Sequence, residues 1–219
     1  MKNWIALVFK SFRDFLFPPG KLAKELEEMA RAGKLHSLEE SPEMKDGWIY
    51  PIFNYRNAFA RELIWQIKYR KNEELIGAAG SVMLEAIVGI LGEFEGMARF
   101  DSPILVPIPQ SGKRHHERGF NQAQLLAEAI LKADGNNNFS IDTKSLVKTK
   151  DTPAQTSLRR SKRLENLKDC FAVKNRQKIA GRNIILIDDV TTTGATLKEA
   201  RRVLKEAGTK KIIAITLAH

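Results

Sequence analysis

The sequence predicts an α/β domain in which a mainly parallel sheet is flanked by helices, with a small helical appendage at the N-terminus. Continuous apolar runs at residues 103–107 and 184–187 are typical of strands that are buried on both faces of a parallel sheet. Amphipathic helical repeats such as residues 123–131 alternate with these runs, as crossover connections require. The 219 residues, of which 43% are hydrophobic, suffice for one such domain plus an appendage.

The N-terminal 46 residues are predicted to form the helical appendage, and residues 47–219 the main domain. Apolar residues recur at helical spacing within residues 3–17, and the triplet Pro18-Pro19-Gly20 ends this helix. We expect the helix to pack on the protein's own core; binding to a partner or to a membrane surface is the alternative. A second helix is predicted over residues 22–32, followed by a loop.

Strands and helices alternate along the main domain. Residues 75–92 are its most apolar stretch, but Glu85 and several glycines interrupt it, so we predict a buried helix and no integral membrane segment. The basic stretch 144–178 holds 11 Lys and Arg against 3 Asp and Glu, which predicts a mobile loop leading into a short helix. The other predicted elements are a strand at 48–55, a helix at 60–71, a strand beginning at 103–107, a helix at 123–131, a strand at 184–187, a helix at 197–207 and a strand at 211–219.

Residues 184–196 read IILIDDVTTTGAT, which combines a buried strand, two carboxylates, a small hydroxyl-rich loop and the start of a helix. Backbone N–H groups at a helix N-terminus favour an anion, and Gly194 lets the backbone approach a phosphate closely. Asp188 and Asp189 would repel that phosphate, so they must face hydroxyl groups or a metal ion on the same ligand. A sugar phosphate with free vicinal hydroxyls fits both halves. An acidic strand end followed by a helix cap would not explain the Thr/Gly loop.

This segment resembles the phosphoribosyl pyrophosphate signature of type I phosphoribosyltransferases, which implies a type I phosphoribosyltransferase-like fold for the domain. The resemblance implies that Asp188 and Asp189 are the catalytic carboxylates and hold the ribose 2′ and 3′ hydroxyls. It also implies that Mg²⁺ lies near these carboxylates and bridges the diphosphate and the ribose hydroxyls. The residues that the resemblance assigns to the 5′-phosphate are Thr191, Thr192, Thr193, Gly194, Ala195 and Thr196.

A second loop, residues 109–122, also follows a predicted strand and precedes a helix, so it lies at the carboxyl edge of the sheet, where ligands bind in open α/β folds. A glycine-containing turn with cationic side chains is what a diphosphate leaving group requires. His115 and His116 have no partners at zinc-binding spacing, so we expect them to be exposed. The residues predicted to bind the pyrophosphate are Ser111, Gly112, Lys113, Arg114 and Arg118.

Further spaced residues make the chain similar to the ComF family, phosphoribosyltransferase-like proteins associated with DNA uptake and natural competence. The resemblance covers roughly residues 48–219. Typical members carry an N-terminal zinc ribbon with paired CxxC motifs, but residues 20–46 contain no cysteine, so no zinc is expected. The residues that carry the resemblance are Tyr55, Lys68, Tyr69, Arg118, Gly119, Phe120, Asn121, Gln122, Thr152, Gln155, Leu158, Arg163, Asn166 and Phe171.

The basic stretch is expected to close over the site as a flexible lid that excludes water during the reaction. Its positive charges would neutralise part of the diphosphate charge. The residues predicted to act in this lid are Lys148, Lys150, Thr152, Gln155 and Arg163.

The net charge of +10 comes entirely from residues 101–219, which hold 22 Lys and Arg against 12 Asp and Glu, while residues 1–100 are balanced. A basic surplus around a sugar-phosphate site suggests a polyanionic ligand, nucleic acid or both. Cys170 is the only cysteine, which excludes a disulfide framework within one chain and suits a cytoplasmic protein.

The sequence supports two functions from different classes. The first is a phosphoribosyltransferase-like protein that binds phosphoribosyl pyrophosphate with Mg²⁺ and is linked to DNA uptake, competence or nucleotide salvage; no residue identifies the acceptor base. The alternative is a non-catalytic competence factor that senses phosphoribosyl pyrophosphate, binds single-stranded DNA and contacts other competence proteins. Aromatic residues for base stacking are scarce in the basic half, which weakens this alternative. An interaction scaffold with a vestigial site is disfavoured by the intact acidic pair.

Overall fold

A parallel β-sheet forms the centre of the computed structural model, which describes residues 20–42, 44, 46–93, 100–112, 116, 118–150 and 169–219. The strands are β1 (Ile49–Phe53), β2 (Ile104–Pro107), β3 (Ser140–Ile141), β4 (Leu146–Lys148), β5 (Phe171–Val173), β6 (Ile184–Val190) and β7 (Ile212–Ala218). Five of them form a sheet in the order β1-β7-β6-β2-β3, in which every neighbouring pair is parallel. The other two, β4 and β5, pair antiparallel.

Helices connect these strands and cover the sheet. Asn57 and Asn121 start two of them, because each side-chain oxygen accepts backbone N–H groups that have no partner inside the helix. The π-helix Gln66–Arg70 directly continues the first of these and ends at Lys71, whose φ of 48° is left-handed. The α-helices are α1 (Lys21–Arg31), α2 (Ala58–Trp65), α3 (Glu73–Glu93), α4 (Gln122–Ala133), α5 (Arg176–Ile179) and α6 (Ala195–Glu206).

Alternate side chains of the sheet enter two hydrophobic cores, because successive residues of a strand point to opposite faces. Ile185 and Ile213 pack with the first four helices. Their neighbours Ile184 and Ile212 pack with α5, α6 and the β4–β5 hairpin. Both faces of the sheet are therefore covered, which explains why the central strands are continuous apolar runs.

The structure confirms the α/β class and the type I phosphoribosyltransferase-like architecture of a parallel sheet flanked by helices. The predicted strands around residues 48–55, 184–187 and 211–219 correspond to β1, β6 and β7, and the predicted helix at 22–32 corresponds to α1. The helix predicted at residues 3–17 lies outside the described residues.

Three predictions of local structure need correction. The stretch 144–178 was expected to be a loop before its short helix, but it contributes β4 and β5, which are too short to show a strand period. The strand β3 was not predicted for the same reason. The predicted helix at 60–71 changes from α to π at Gln66.

The described part of the appendage shares the core of the main domain. Leu26 of α1, with Leu35 and Leu38 after it, packs in the same cluster as Leu63 of α2. The chain then runs along β1, since Ser41 N–H donates to the Ile52 carbonyl oxygen at 2.8 Å. The domain boundary at residue 46 stays a prediction.

Helix α3 is the one helix in the described part of the chain that is long and apolar enough to cross a membrane, judged by length and composition. Leu75, Met83 and Ile87 on its inner face are fully buried in the core. It also packs against α1 and α4. The prediction of a buried helix at residues 75–92 is therefore confirmed for one face only, since Val88 on the other face is 57% exposed.

Candidate functional site

Two loops begin side by side at the carboxyl edge of the sheet. Because β2 and β6 are parallel neighbours, Pro107 lies opposite Ile187. The next residue of the first strand, Ile108, donates its N–H to the Ile187 carbonyl oxygen at 2.9 Å. From there β6 continues into Asp188 and Asp189. The loops predicted to hold the 5′-phosphate and the diphosphate are thus anchored next to each other.

The turn after β6 forms the N-terminus of α6, a helix of twelve residues. Thr191 is buried and donates its N–H to the Ala218 carbonyl oxygen at 3.0 Å. The exposed Thr192 accepts a hydrogen bond at its carbonyl oxygen from Nε2 of His219 at 2.9 Å. Gly194 has a φ of 69° and caps the helix without a side chain. The turn is therefore held by its backbone, which leaves a helix N-terminus available for an anion.

The residues predicted for the 5′-phosphate differ in how they could contact it. The side chains of Thr192, Thr193 and Thr196 are exposed or partly exposed. Thr191 and Ala195 are buried, so they contribute through the backbone and through packing. Thr193 Oγ1 accepts a hydrogen bond from the Ala195 N–H at 3.4 Å, which brings a hydroxyl group to the first turn of the helix.

The two carboxylates at the end of β6 have an unusual electrostatic environment. Burial first, and then the negative charge of Asp189, raise the pKa of Asp188 to about 7. The Asp189 N–H donates to Asp188 Oδ1 at 2.9 Å, and together with Lys68 and Lys148 it opposes this rise. A carboxyl group with a raised pKa beside a second carboxylate at a sheet edge is typical of a functional site, because fold stability does not require this pair.

Lys68 is a site residue that the sequence did not identify as such. Its Nζ lies 3.2 Å from Asp189 Oδ2, and the side chains are 22% and 13% exposed, respectively. The π-helix brings Lys68 to the site, because the neighbouring Ile67 is fully buried in the core. The signal in the sequence that points to it is the ComF-like pattern Tyr55, Lys68 and Tyr69.

The loop after β2 is braced at both ends. Asn121 Nδ2 donates to the Ile108 carbonyl oxygen at 3.0 Å, while Asn121 Oδ1 accepts the N–H of Ala123 at the start of α4. Gln110 Nε2 donates to the Phe120 carbonyl oxygen. These contacts hold Phe120 and Asn121 close to the end of β2, where the predicted diphosphate loop begins.

The predicted pyrophosphate residues are only partly covered by the described chain. Ser111 is buried and Gly112 is exposed at the start of the loop. Lys113 and Arg114 lie outside the described residues. The guanidinium group of Arg118 lies over the Tyr69 ring, 5.4 Å from its centroid. The assignment of all five residues to the diphosphate stays a prediction.

The predicted lid starts at the β4–β5 hairpin. Lys148 ends β4, and its Nζ lies 5.7 Å from the centroid of the Phe171 ring on β5. Lys150 is exposed just beyond. The positive charge of Lys148 lowers the pKa of Asp188, so the end of β4 interacts electrostatically with the carboxylate pair. Thr152, Gln155 and Arg163 lie outside the described residues.

The carboxylate pair fits Mg²⁺ only as part of a shared site. Carboxylate oxygens are ligands that Mg²⁺ prefers, and Mg²⁺ is often bound by one or two carboxylates plus substrate phosphates. Within the described ranges no group of three or more His, Cys, Asp and Glu side chains could hold a metal ion alone. His116 is exposed, as expected. A nucleotide or sugar diphosphate would have to supply the remaining oxygen ligands.

An exposed surface of aromatic and cationic side chains lies beside Lys68. Trp65 and Tyr69 are 42% and 58% exposed, and their ring centroids are 5.6 Å apart. The Arg70 guanidinium group lies 5.4 Å from the Trp65 ring centroid, and Lys71 Nζ lies 5.9 Å from that of Phe120. We refer to Trp65, Tyr69, Arg70, Lys71, Arg118 and Phe120 together as the aromatic–cationic surface.

Comparisons with known proteins agree with this architecture. Residues 116–219 match the family model of the phosphoribosyl transferase domain. Competence protein ComFC of Bacillus subtilis is 34% identical over 157 residues, which cover 72% of this chain and 58% of the relative. DNA utilization protein YhgH of Escherichia coli O157:H7 is 30% identical over 146 residues, which cover 67% of this chain and 61% of the relative.

The matches cover less than two thirds of the length of these curated relatives. Among solved structures, hypoxanthine phosphoribosyl transferase of Trypanosoma cruzi is 14% identical with a TM-score of 0.39. That similarity covers 66% of this chain and 64% of the other.

Proposed function

This chain is a ComF-like protein with a type I phosphoribosyltransferase fold, and from that premise we propose that it binds phosphoribosyl pyrophosphate together with Mg²⁺. One observation carries the proposal: Asp188 and Asp189 lie in the last three residues of β6, just before a turn whose backbone opens an α-helix. An anion at the helix N-terminus and hydroxyl groups at the carboxylates are the two halves of a ribose phosphate.

Each part of the site has a separate task in this proposal. The turn at residues 191–196 binds the 5′-phosphate through backbone N–H groups and threonine hydroxyls. Asp188 and Asp189 accept hydrogen bonds from the ribose hydroxyls and orient C1 of the sugar. When bound, Mg²⁺ supplies positive charge that stabilises the diphosphate as a leaving group.

Transfer, if an acceptor is bound, is displacement of the diphosphate from C1 of the ribose by that acceptor. Positive charge develops on the sugar and negative charge on the departing diphosphate. Asp188 and Asp189 stabilise the first through their own charge. Lys113, Arg114 and Arg118 neutralise the second. The lid residues from Lys148 onward exclude water, which would otherwise hydrolyse the sugar.

Isothermal titration calorimetry with phosphoribosyl pyrophosphate and Mg²⁺ tests the binding. We expect saturable heat from the native chain and a loss of affinity of at least a hundredfold in the double variant Asp188→Asn/Asp189→Asn, since two charge-assisted contacts disappear. Asp101→Asn is the matched control, because Asp101 is an exposed carboxylate before β2, at the opposite edge of the sheet. Equal heats from the native chain and the double variant would refute the proposal.

The second candidate function is that of a non-catalytic factor that senses phosphoribosyl pyrophosphate and binds single-stranded DNA. The aromatic–cationic surface favours it. Base stacking on exposed aromatic rings, combined with nearby cations, is how proteins bind single strands without sequence preference. Exposed aromatic rings are scarce in the basic half of the sequence, and Trp65 and Tyr69 of the preceding half supply them on this surface.

A titration of a fluorescently labelled oligonucleotide at two salt concentrations tests the second candidate. We expect affinity to fall steeply as salt rises, because phosphate contacts release counterions. A double-stranded oligonucleotide of the same sequence is the control, since its bases are not free to stack on the rings. Negligible binding of the single strand at low salt would reject this function.

The biological setting in this proposal is a cytoplasmic step of DNA uptake, competence or nucleotide salvage. The printed names of the relatives, competence protein and DNA utilization protein, support the first two. Other competence proteins are then the expected protein partners. Co-purification with the native chain tests them, with the double Asp188→Asn/Asp189→Asn variant showing which partners require an occupied site.

A further inference from the structure

The ammonium group of Lys68 stands directly in front of the carboxylate pair. Its Nζ is 3.2 Å from Asp189 Oδ2, within the reach of a charge-assisted hydrogen bond. Both side chains are mostly shielded from water, so salt screens this contact less than it would an exposed ion pair. The contact crosses from the π-helix to β6 and joins two separate parts of the fold.

The proposed ligand needs the same carboxylate. In the proposed function the ribose hydroxyls and the cation bind at Asp188 and Asp189. A divalent cation bound at Asp189 Oδ2 would lie close to the Lys68 ammonium group, which is 3.2 Å from the same oxygen, and the two positive charges repel each other. Binding of a cation at this oxygen therefore favours a movement of Lys68 away from it.

The local backbone is suited to such a movement. Gln66 and Ile67 are buried and hold one side of the π-helix, whereas the other side exposes Tyr69. A π-helix is an irregular turn that often accompanies functional sites. It ends at Lys71, whose left-handed φ of 48° separates it from α3. Lys68 is thus carried by a short irregular segment between two regular helices.

We propose that Lys68 is a displaceable counter-ion of the phosphoribosyl site: it occupies Asp189 while the site is empty and leaves when a divalent cation or the ribose binds. This inference rests on the proposed function for the identity of the ligand. In consequence, Lys68 lowers the affinity of the empty site for a free cation.

Binding of Mn²⁺ alone, measured by electron paramagnetic resonance at pH 8, tests the proposal without phosphoribosyl pyrophosphate. Lys68→Met removes the competing charge, so we expect it to bind Mn²⁺ roughly tenfold more tightly than the native chain, the approximate worth of one charge-assisted contact. Lys68→Gln should show the same direction and serves as a second variant if Met disturbs packing. Lys68→Arg should stay close to native, because it keeps the charge.

Lys71→Met is the matched control, since it removes one positive charge from the end of the same segment, where Lys71 lies over the Phe120 ring. It reports the general effect of charge on Mn²⁺ affinity. The proposal is overturned if Lys68→Met and Lys68→Gln bind Mn²⁺ no more tightly than Lys71→Met.

A native chain that fails to bind phosphoribosyl pyrophosphate would refute the proposed function. The counter-ion role of Lys68 would still be decided by the Mn²⁺ titration.

Discussion

Two regions border Asp189, and they differ in almost every respect. The turn at residues 191–196 follows directly from β6, and the Thr191 N–H donates to the Ala218 carbonyl oxygen at the end of β7. The π-helix Gln66–Arg70 comes from a distant part of the chain and presents the exposed Tyr69 ring between two cations, Lys68 and Arg70. The first region suits a sugar phosphate. The second region suits the bases and phosphates of a single-stranded nucleic acid. Under the proposed function, separate segments of the chain therefore bind the ligand and the partner.

The largest expected effect is a loss of oligonucleotide affinity when the π-helix is changed. Tyr69→Ala removes a stacking ring, and we expect single-stranded oligonucleotide affinity to fall by about 1–3 kcal/mol. Affinity for phosphoribosyl pyrophosphate should fall less, by the contribution that the Tyr69 ring makes to positioning Arg118. Fluorescence anisotropy measures the first and calorimetry the second.

Arg201→Ala is the control for Tyr69→Ala. Arg201 also lies over an aromatic ring, 4.4 Å from the Trp48 centroid, but that tryptophan is only 8% exposed and cannot stack on a base. Its loss should cost only the effect of one charge. Equal losses in the two variants would contradict the role of the exposed rings.

A smaller effect is expected from the other region. Gly194 has a φ of 69°, and a Cβ there would lie 2.8 Å from Ile49 Cδ1. Because the isoleucine end can shift, the left-handed backbone dominates, and Gly194→Ala should lower the free energy of unfolding by about 1–2 kcal/mol. Affinity for phosphoribosyl pyrophosphate should fall as the turn distorts, while oligonucleotide affinity stays native.

Gly77→Ala is the matched control, because a Cβ at Gly77 of α3 meets nothing within 4 Å. Alanine in a helix should stabilise the chain slightly. Thermal melting of both variants measures the difference. A Gly194→Ala variant that melts like Gly77→Ala would show that the turn tolerates a side chain.

The smallest effect concerns stability and pH. The pKa of Asp188 is raised from 3.8 to about 7 by burial and by Asp189, so between these values the folded chain keeps a proton that the unfolded chain has lost. The contribution of Asp188 to stability therefore falls as pH rises from about 4 and is lowest above 7. Asp188→Asn should melt a few degrees above the native chain at pH 8, since each kcal/mol moves the Tm by about 2–4 °C in a chain of this size.

This stability difference should shrink toward zero as the pH falls to about 3, because below the unfolded pKa of 3.8 the Asp188 carboxyl is protonated in both states. Differential scanning calorimetry at the two pH values measures it, with Asp101→Asn as the control for loss of a surface charge. A lower Tm for Asp188→Asn at pH 8 would mean that the carboxylate stabilises the fold, contrary to its assignment as a ligand-binding group.

Much of the fold was predictable because its main strands and helices have long, regular patterns of apolar residues. The continuous apolar run of β6 and the repeat in α4 show their type without reference to neighbours. The pair β4–β5 was not predictable, because strands of three residues have no measurable period and are defined only by their pairing. The role of Asn121 in bracing the loop after β2 was not predictable either, because it depends on a hydrogen bond from its side chain to the Ile108 carbonyl oxygen, 13 residues away in the chain.

The amino-acid sequence by itself determined the turn after β6 and its acidic pair, because strand, carboxylates, turn and helix are contiguous and each follows from local chemistry. Only the tertiary structure decided that Lys68 faces Asp189 and that Arg118 stacks on Tyr69. The physical reason is that these contacts join residues far apart in the chain. They depend on how buried side chains such as Ile67 seat the π-helix against the sheet, which no local pattern specifies.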